Sequence, residues 1–130
     1  MSTFQTGLFD LAQKRLSWIA SRQNVLASNI ANVNTPGYKA RDVASFEEAL
    51  LGYDNLTPAQ TQPLHLSGTI STDPILSTPV PPVAQSIDRN TVILDQQLAK
   101  VADTETAQSL VSTIWKKYVG MFSTALGRAS

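Results

Sequence analysis

The side chains able to do acid–base or ligand chemistry are few, and their spacing keeps them apart. His65 is the single histidine, set where a solvated or hydrogen-bonded imidazole is the ordinary outcome and a base or ligand the exception. Glu47 and Glu48 are adjacent, so on a helix they diverge by about 100° and cannot form the paired carboxylates of a general acid–base site. Asp103 and Glu105 likewise face different directions. There is no cysteine, which removes disulfides and thiolate metal sites. No glycine-rich phosphate loop, nucleophile elbow or metal-ligand spacing occurs. The sequence therefore offers no catalytic residue, metal site or cofactor, and an enzyme is not expected.

The chemistry that is present is conformational. In the stretch 28–39, Pro36 disfavours helical geometry at Thr35 and cannot donate a backbone hydrogen bond, so a preceding helix must stop. Gly37 suits the second central position of a type II turn, where φ is positive. Asn32 and Asn34 suit either capture of freed helix carbonyls or a left-handed helix end. Together with Asn29 and Tyr38 these residues specify a sharp, rigid exit from a helix.

That exit needs a helix to leave. Ala12, Leu16, Ile19, Leu26, Ile30 and Val33 follow a four-three spacing over 7–33, with polar Gln23 at one seam position. Leu8 and Leu11 extend the stripe, Trp18 and Val25 widen it, and Asp10 stands four residues before Lys14 in the favourable order for a helical ion pair. All seven prolines lie between Pro36 and Pro82, so two proline-free flanks enclose one proline-bearing middle. Within the middle, Ser45 and Glu48 fit a capping box that opens a short helix ending at Gly52. The stretch 53–63 reads as turn-rich, 64–67 as a short strand by alternation, and 73–83 as extended, polyproline-like backbone.

The second flank predicts a helix over 95–126 with Asp95 as its cap and Gly127 as its stop. Leu98, Val101, Val111, Trp115, Tyr118, Phe122 and Ala125 mark one face, joined by Ile114 and Met121. Acidic residues early (Asp95, Asp103, Glu105) and basic ones late (Lys116, Lys117, Arg128) suit the helix dipole. The expected fold is mainly α: long terminal helices packed as a coiled-coil-like antiparallel pair, with an irregular insert holding little β. The boundaries are 1–35, 36–87 and 88–130.

A chain of 130 residues bounds this to one domain. Ten basic and ten acidic residues, scattered and cancelling, give no electrostatic footprint for nucleic acid or an anionic membrane. Residues 1–10 lack a basic region followed by a long apolar run, so no secretory signal is visible.

Asn29-Ile30-Ala31-Asn32 followed by Asn34-Thr35-Pro36-Gly37-Tyr38 resembles the N-terminal signature of bacterial flagellar axial proteins. With Lys39-Ala40-Arg41-Asp42 and so short a chain, it is most similar to the flagellar basal-body rod protein family, in particular its small proximal members. The segment from Asp88 through Lys100-Val101-Ala102-Asp103 is similar to the one that opens the family's C-terminal helix, although Thr104 and Ala107 stand where the family often carries Asn and Tyr. The resemblance implies a subunit of the torque-transmitting rod, crossing the periplasm and exported without a cleaved signal peptide. Its implied partners are copies of itself, other rod and basal-body proteins and, during secretion, the export apparatus; nucleic acid and small-molecule substrates are not among them.

The apolar faces carry two readings. Leu16, Ile19, Leu26, Ile30 and Val33 with Leu98, Val101, Val111, Trp115, Tyr118 and Phe122 could be an ordinary core or an assembly surface. Two helices cannot bury stripes this wide, and the insert looks too polar to cover them, so the surplus surface calls for other subunits. The terminal helices of an isolated monomer would then be frayed and order on assembly. The rival readings are another flagellar axial subunit and a cytoplasmic helical adaptor or chaperone that binds a partner helix.

Overall fold

The computed structural model describes residues 2–54 and 77–127. In chain order these form α1 (Ser2–Ala31), β1 (Arg41–Val43), α2 (Phe46–Asp54), β2 (Ser77–Pro79) and α3 (Leu94–Ala125). The expected strand at 64–67, His65 within it, and the expected turns from 55 onward lie outside the described residues.

The molecule is mainly α, an antiparallel pair of long helices. Phe9, early in α1, packs against Trp115, Tyr118 and Phe122, late in α3. Asn29, late in α1, meets Gln97, early in α3. At 1.5 Å per residue, helices of 30 and 32 residues run roughly 45 and 48 Å.

Several boundaries differ from those the sequence predicts. Helix α1 starts at Ser2 rather than near 7, because Gly7 is tolerated within a helix at a cost of about 1 kcal/mol and nothing before it breaks one. It closes at Ala31, two residues before Val33. There the Asn32 amide is shared between the Ser28 and Asn29 carbonyls, and Val33 N–H and Thr35 N–H bond three residues back. This tightening moves Val33 off the seam and into the turn. Helix α2 keeps its expected capping box: Ser45 Oγ accepts from Glu48 N–H, and Glu48 accepts from Ser45 N–H. It runs through Gly52 to Asp54, again because one glycine weakens a helix without ending it. Helix α3 starts one residue early, with Ile93 at its N-cap without a side-chain cap bond and Asp95 in the first turn. Of the charges within α3, Asp95 alone falls in a terminal turn; Arg128 lies outside the described residues. Gly127, at φ 70°, ends the helix as expected.

The insert is more structured than its composition suggests. Strands β1 and β2 pair antiparallel, with Asp42 opposite Thr78 and Arg41 opposite Pro79, and Val80 N–H extends the ladder to the Ala40 carbonyl. Arg41 N–H and C=O both turn away from β2, to the Asn29 side chain. Pro79 therefore sits where its missing N–H would face outward, the place a sheet tolerates proline. The segment 77–83, expected to be polyproline-like, thus contains a strand. Extended backbone is common to both conformations, and the presence of a partner chain decides between them.

The insert covers one stretch of α1 and leaves apolar surface elsewhere on both helices. Trp18 and Ile19 of α1 are buried with Ala49 of α2, and Val43, Phe46, Ala107 and Val111 close around them. The Trp18 indole donates to the Ala44 carbonyl at 2.8 Å and meets Phe46 edge to face. The Arg15 guanidinium lies 4.6–4.7 Å from both ring centres. Alternation with polar neighbours hid Val43, Phe46 and Ala49 of the insert, which with Ala107 and Val111 of α3 close over Trp18 and Ile19.

Candidate functional site

The helix exit is built as its residue types require. Tyr38 N–H returns to the Thr35 carbonyl at 3.3 Å, with Pro36 and Gly37 between them and Gly37 at φ 73°: a type II turn. Asn32 Nδ2 donates to the Ser28 carbonyl at 2.8 Å, while its Oδ1 accepts from Thr35 Oγ1 at 3.1 Å. Asn34, Thr35, Pro36 and Gly37 are exposed. The turn is held from the far side of the insert, where Gly37 N–H reaches the Asp88 carbonyl and Thr91 N–H reaches the Tyr38 carbonyl. Ala40 N–H donates to Thr91 Oγ1.

Asn29 is the centre of this end. It is fully buried, and every hydrogen-bonding position of its amide is used. Nδ2 donates to the Arg41 carbonyl at 2.6 Å and to Gln97 Oε1 at 2.8 Å. Oδ1 accepts from Arg41 N–H at 3.0 Å and from the Tyr38 hydroxyl at 3.3 Å. One side chain thereby ties α1 to its own exit, to β1 and to α3.

Asn90, which sequence reasoning passed over, performs the second fixing. Its Nδ2 lies 2.8–2.9 Å from the carbonyls of Asn32, Val33 and Thr35, in the exit turn that follows α1. Its Oδ1 accepts from Val92 N–H at 2.7 Å. An asparagine shortly before an apolar helix reads as that helix's own N-cap, and nothing local signals that it holds the exit turn of a different helix more than fifty residues earlier.

A charged triad was also missed. The Asp42 carboxylate of β1 takes Arg22 Nε of α1 at 3.2 Å and Lys100 Nζ of α3 at 3.0 Å. Burial alone would raise the Asp42 carboxyl; the hydrogen bonds and positive charges of Arg22 and Lys100 outweigh it and hold the group below its ordinary value.

The packing residues divide. Ile19 and Leu26 are buried, Leu16 and Ile30 half-buried. On α3, Val101, Val111, Tyr118 and Phe122 are half-buried, whereas Trp115 keeps 38% of its surface exposed and Leu98 keeps 51%. Leu98 is therefore not a seam residue. The face turned to α1 runs through Gln97, Val101, Thr104, Gln108, Val111, Trp115, Tyr118 and Phe122, an unbroken four-three repeat in which Gln97, Thr104 and Gln108 are polar. Gln97 is occupied by Asn29, Gln108 accepts from Gln23 at 3.0 Å, and buried Thr104 satisfies its hydroxyl on its own helix, at the Lys100 carbonyl. Following hydrophobicity selected Leu98; the repeat places its neighbour Gln97 inside.

Apolar surface remains at the other end. An open groove of about 260 Å³ is lined by Leu8, Phe9, Leu11, Val111, Ile114 and Trp115 among others. Leu110 and Met121 (60% and 58% exposed) stand beside Ile114 on the adjoining flank of α3. Among the described residues, no cluster of His, Asp and Glu could hold a metal ion, and no helix is long and apolar enough to cross a membrane.

Comparison with known proteins bears on what such a hairpin is for. Residues 9–39, which take in most of α1 and the whole exit turn, match the family described as flagella basal body rod protein. The chain is 30% identical over 115 residues to flagellar basal body rod protein FlgB of Agrobacterium fabrum, covering 85% of this chain and 86% of that one. It is 35% identical over 100 residues to FlgB of Escherichia coli, covering 70% and 72%. Identity to FlgB of Aeromonas hydrophila rises to 52% over 42 residues, 32% of this chain and 31% of that one.

Proposed function

We propose that this chain, which belongs to the FlgB family of flagellar basal-body rod proteins, self-assembles through its α1–α3 hairpin, with copies of itself and other rod subunits, into a torque-transmitting drive shaft. As a structural subunit of the rod it needs torsional stiffness rather than bond chemistry, and interdigitated helices supply it. The single observation that carries the assembly reading is the apolar flank of Leu110, Ile114 and Met121, exposed among the described residues and continuous through Ile114 with the groove beside Phe9 and Trp115. A contact that joins this flank to a different surface of the next subunit is heterologous, and repeated heterologous contacts build open helical assemblies. The periplasmic, proximal position and export without a cleaved signal follow from the same family reading.

The absence of cysteine makes the test direct. Leu110→Cys and Met121→Cys subunits, replacing the native chain in cells, are expected to cross-link to neighbouring rod subunits in purified basal bodies through a thiol-attached photoreactive reagent. Leu110→Asp is expected to abolish swimming while the free chain keeps its fold. Basal bodies that lack the chain, or normal swimming by Leu110→Asp cells, would overturn the reading; a stable soluble dimer that never enters basal bodies would fit a helical adaptor instead.

A further inference from the structure

One apolar side chain stands apart from the helices. Ile87 is wholly exposed at the tip of a tight turn, where Arg89 N–H bonds the Ser86 carbonyl and Ser86 N–H bonds the Asn90 carbonyl, each at 2.9 Å. Arg89 follows the tip at φ 64°. This is the three-residue hairpin loop in which glycine ordinarily takes the left-handed position, and a Cβ there brings strain. The surroundings hold that strain in place. Gln85 Nε2 reaches the Arg89 carbonyl, Asp88 Oδ1 takes Asn90 N–H, and the Asp88 carbonyl accepts from Gly37 N–H of the exit turn at 2.8 Å. Strained backbone that its surroundings over-determine is a mark of recognition sites, and here it presents an isoleucine and an arginine to solvent side by side.

A matching surface lies on α3. Leu110 and Ile114 are exposed on one side of that helix. Asp103 and Lys117, also exposed, stand two turns before Leu110 and two turns after it on the same side. An acidic end, an apolar centre and a basic end thus follow in order. Among the described residues neither Arg89 nor Asp103 has an ion-pair partner. Asp103 is about 10 Å from Leu110 along the axis, a distance that two residues of turn and an extended arginine side chain together bridge. The tip cannot reach the flank of its own chain: it is tied to the exit turn beside the start of α3, and Leu110 lies roughly 24 Å further along that helix.

We infer that the Ile87–Arg89 tip of one subunit docks on the α3 flank of a second copy, with Ile87 between Leu110 and Ile114 and Arg89 against Asp103. The inference rests on the assembly reading above and names its contact. The charges admit one orientation, because the reverse would bring Arg89 onto Lys117, and like charges brought together at an interface are costly. Tip and flank are different surfaces, so the contact is heterologous and repeats from copy to copy. A turn already fixed in shape loses little freedom on docking.

The absence of native cysteine allows a pairing test in purified basal bodies. A chain carrying both Ile87→Cys and Leu110→Cys, replacing the native chain in cells, is expected to give disulfide-linked multimers of itself under mild oxidation, and chains with either substitution alone are not. Disulfides to a different rod protein, or none from a chain present in the basal bodies, would overturn the contact. Arg89→Asp and Asp103→Arg are each expected to lower swimming about 10-fold, and the two together to restore about half of it; reversal without rescue counts against the pairing. Arg89→Gly relieves the strain, so the free chain should melt no lower than the native one while swimming falls. Normal swimming by that variant would mean that the arginine side chain makes no contact. Basal bodies that lack the native chain sink the assembly reading, whereas basal bodies that hold it, with neither disulfide nor rescue, sink this contact alone.

Discussion

Asn29 of α1 and Gln97 of α3 meet side chain to side chain at 2.8 Å in the interior, 68 residues apart in sequence. Both occupy positions where a paired helix ordinarily places an apolar residue. Polar seam residues cost stability and fix register, and this contact has a single satisfied alignment: a shift of one residue on either helix would leave the amide without its partner. With Gln23 and Gln108 a second such pair lies nearer the middle of the hairpin.

Asn29→Ala is expected to destabilise the free chain by about 2–4 kcal/mol, since it strands the Arg41 N–H and C=O and the Gln97 carbonyl oxygen together. Urea denaturation followed by circular dichroism measures it. A loss within experimental error of zero would show that water replaces all four bonds.

At Asn90 the order of two substitutions is the sharper expectation. Alanine removes the donor from three carbonyls of the exit turn, costing about 1–2 kcal/mol. Aspartate keeps the shape but faces those carbonyls with acceptors only, so Asn90→Asp should melt at a lower temperature than Asn90→Ala. The opposite order in thermal melts at neutral pH would contradict the capping geometry.

The Asp42 triad makes stability depend on acid. A carboxyl whose value is lower in the folded than in the unfolded chain stabilises the fold fully above its unfolded value, near 3.8, and that contribution is lost as pH falls through the lowered folded value. Asp42→Asn should therefore be less stable than the native chain at pH 6, with the difference narrowing as pH falls below about 4. Denaturation curves from pH 6 to pH 2 check this; a difference independent of pH would mean that the carboxylate's charge is not what joins the helices.

Gly37 stands at φ 73° with nothing within 4 Å of where a Cβ would be, so Gly37→Ala meets backbone strain and no clash. The expected cost is about 1–2 kcal/mol, and Gly37→Asn, which tolerates the left-handed region better, should recover part of it. Equal urea midpoints for all three chains would argue against the type II turn.

Local chemistry by itself determined the two long helices, the capping box at Ser45 and Glu48, the type II turn at Pro36–Gly37 and the stop at Gly127. Each follows from spacing, side-chain reach or a backbone dihedral within a few residues. The family, too, was legible there, because its signature is the exit turn. What only the tertiary structure decided is where a polar side chain finds its partner. Gln97 inside and Leu98 outside, Asn90 holding the exit turn of α1, Arg22 and Lys100 converging on Asp42, and Phe46 with Ala49 covering Trp18 all depend on elements brought together across tens of residues. A polar group is buried only when a distant group completes its hydrogen bonds, so its position in the core is a property of the pair, and sequence near either member does not contain it.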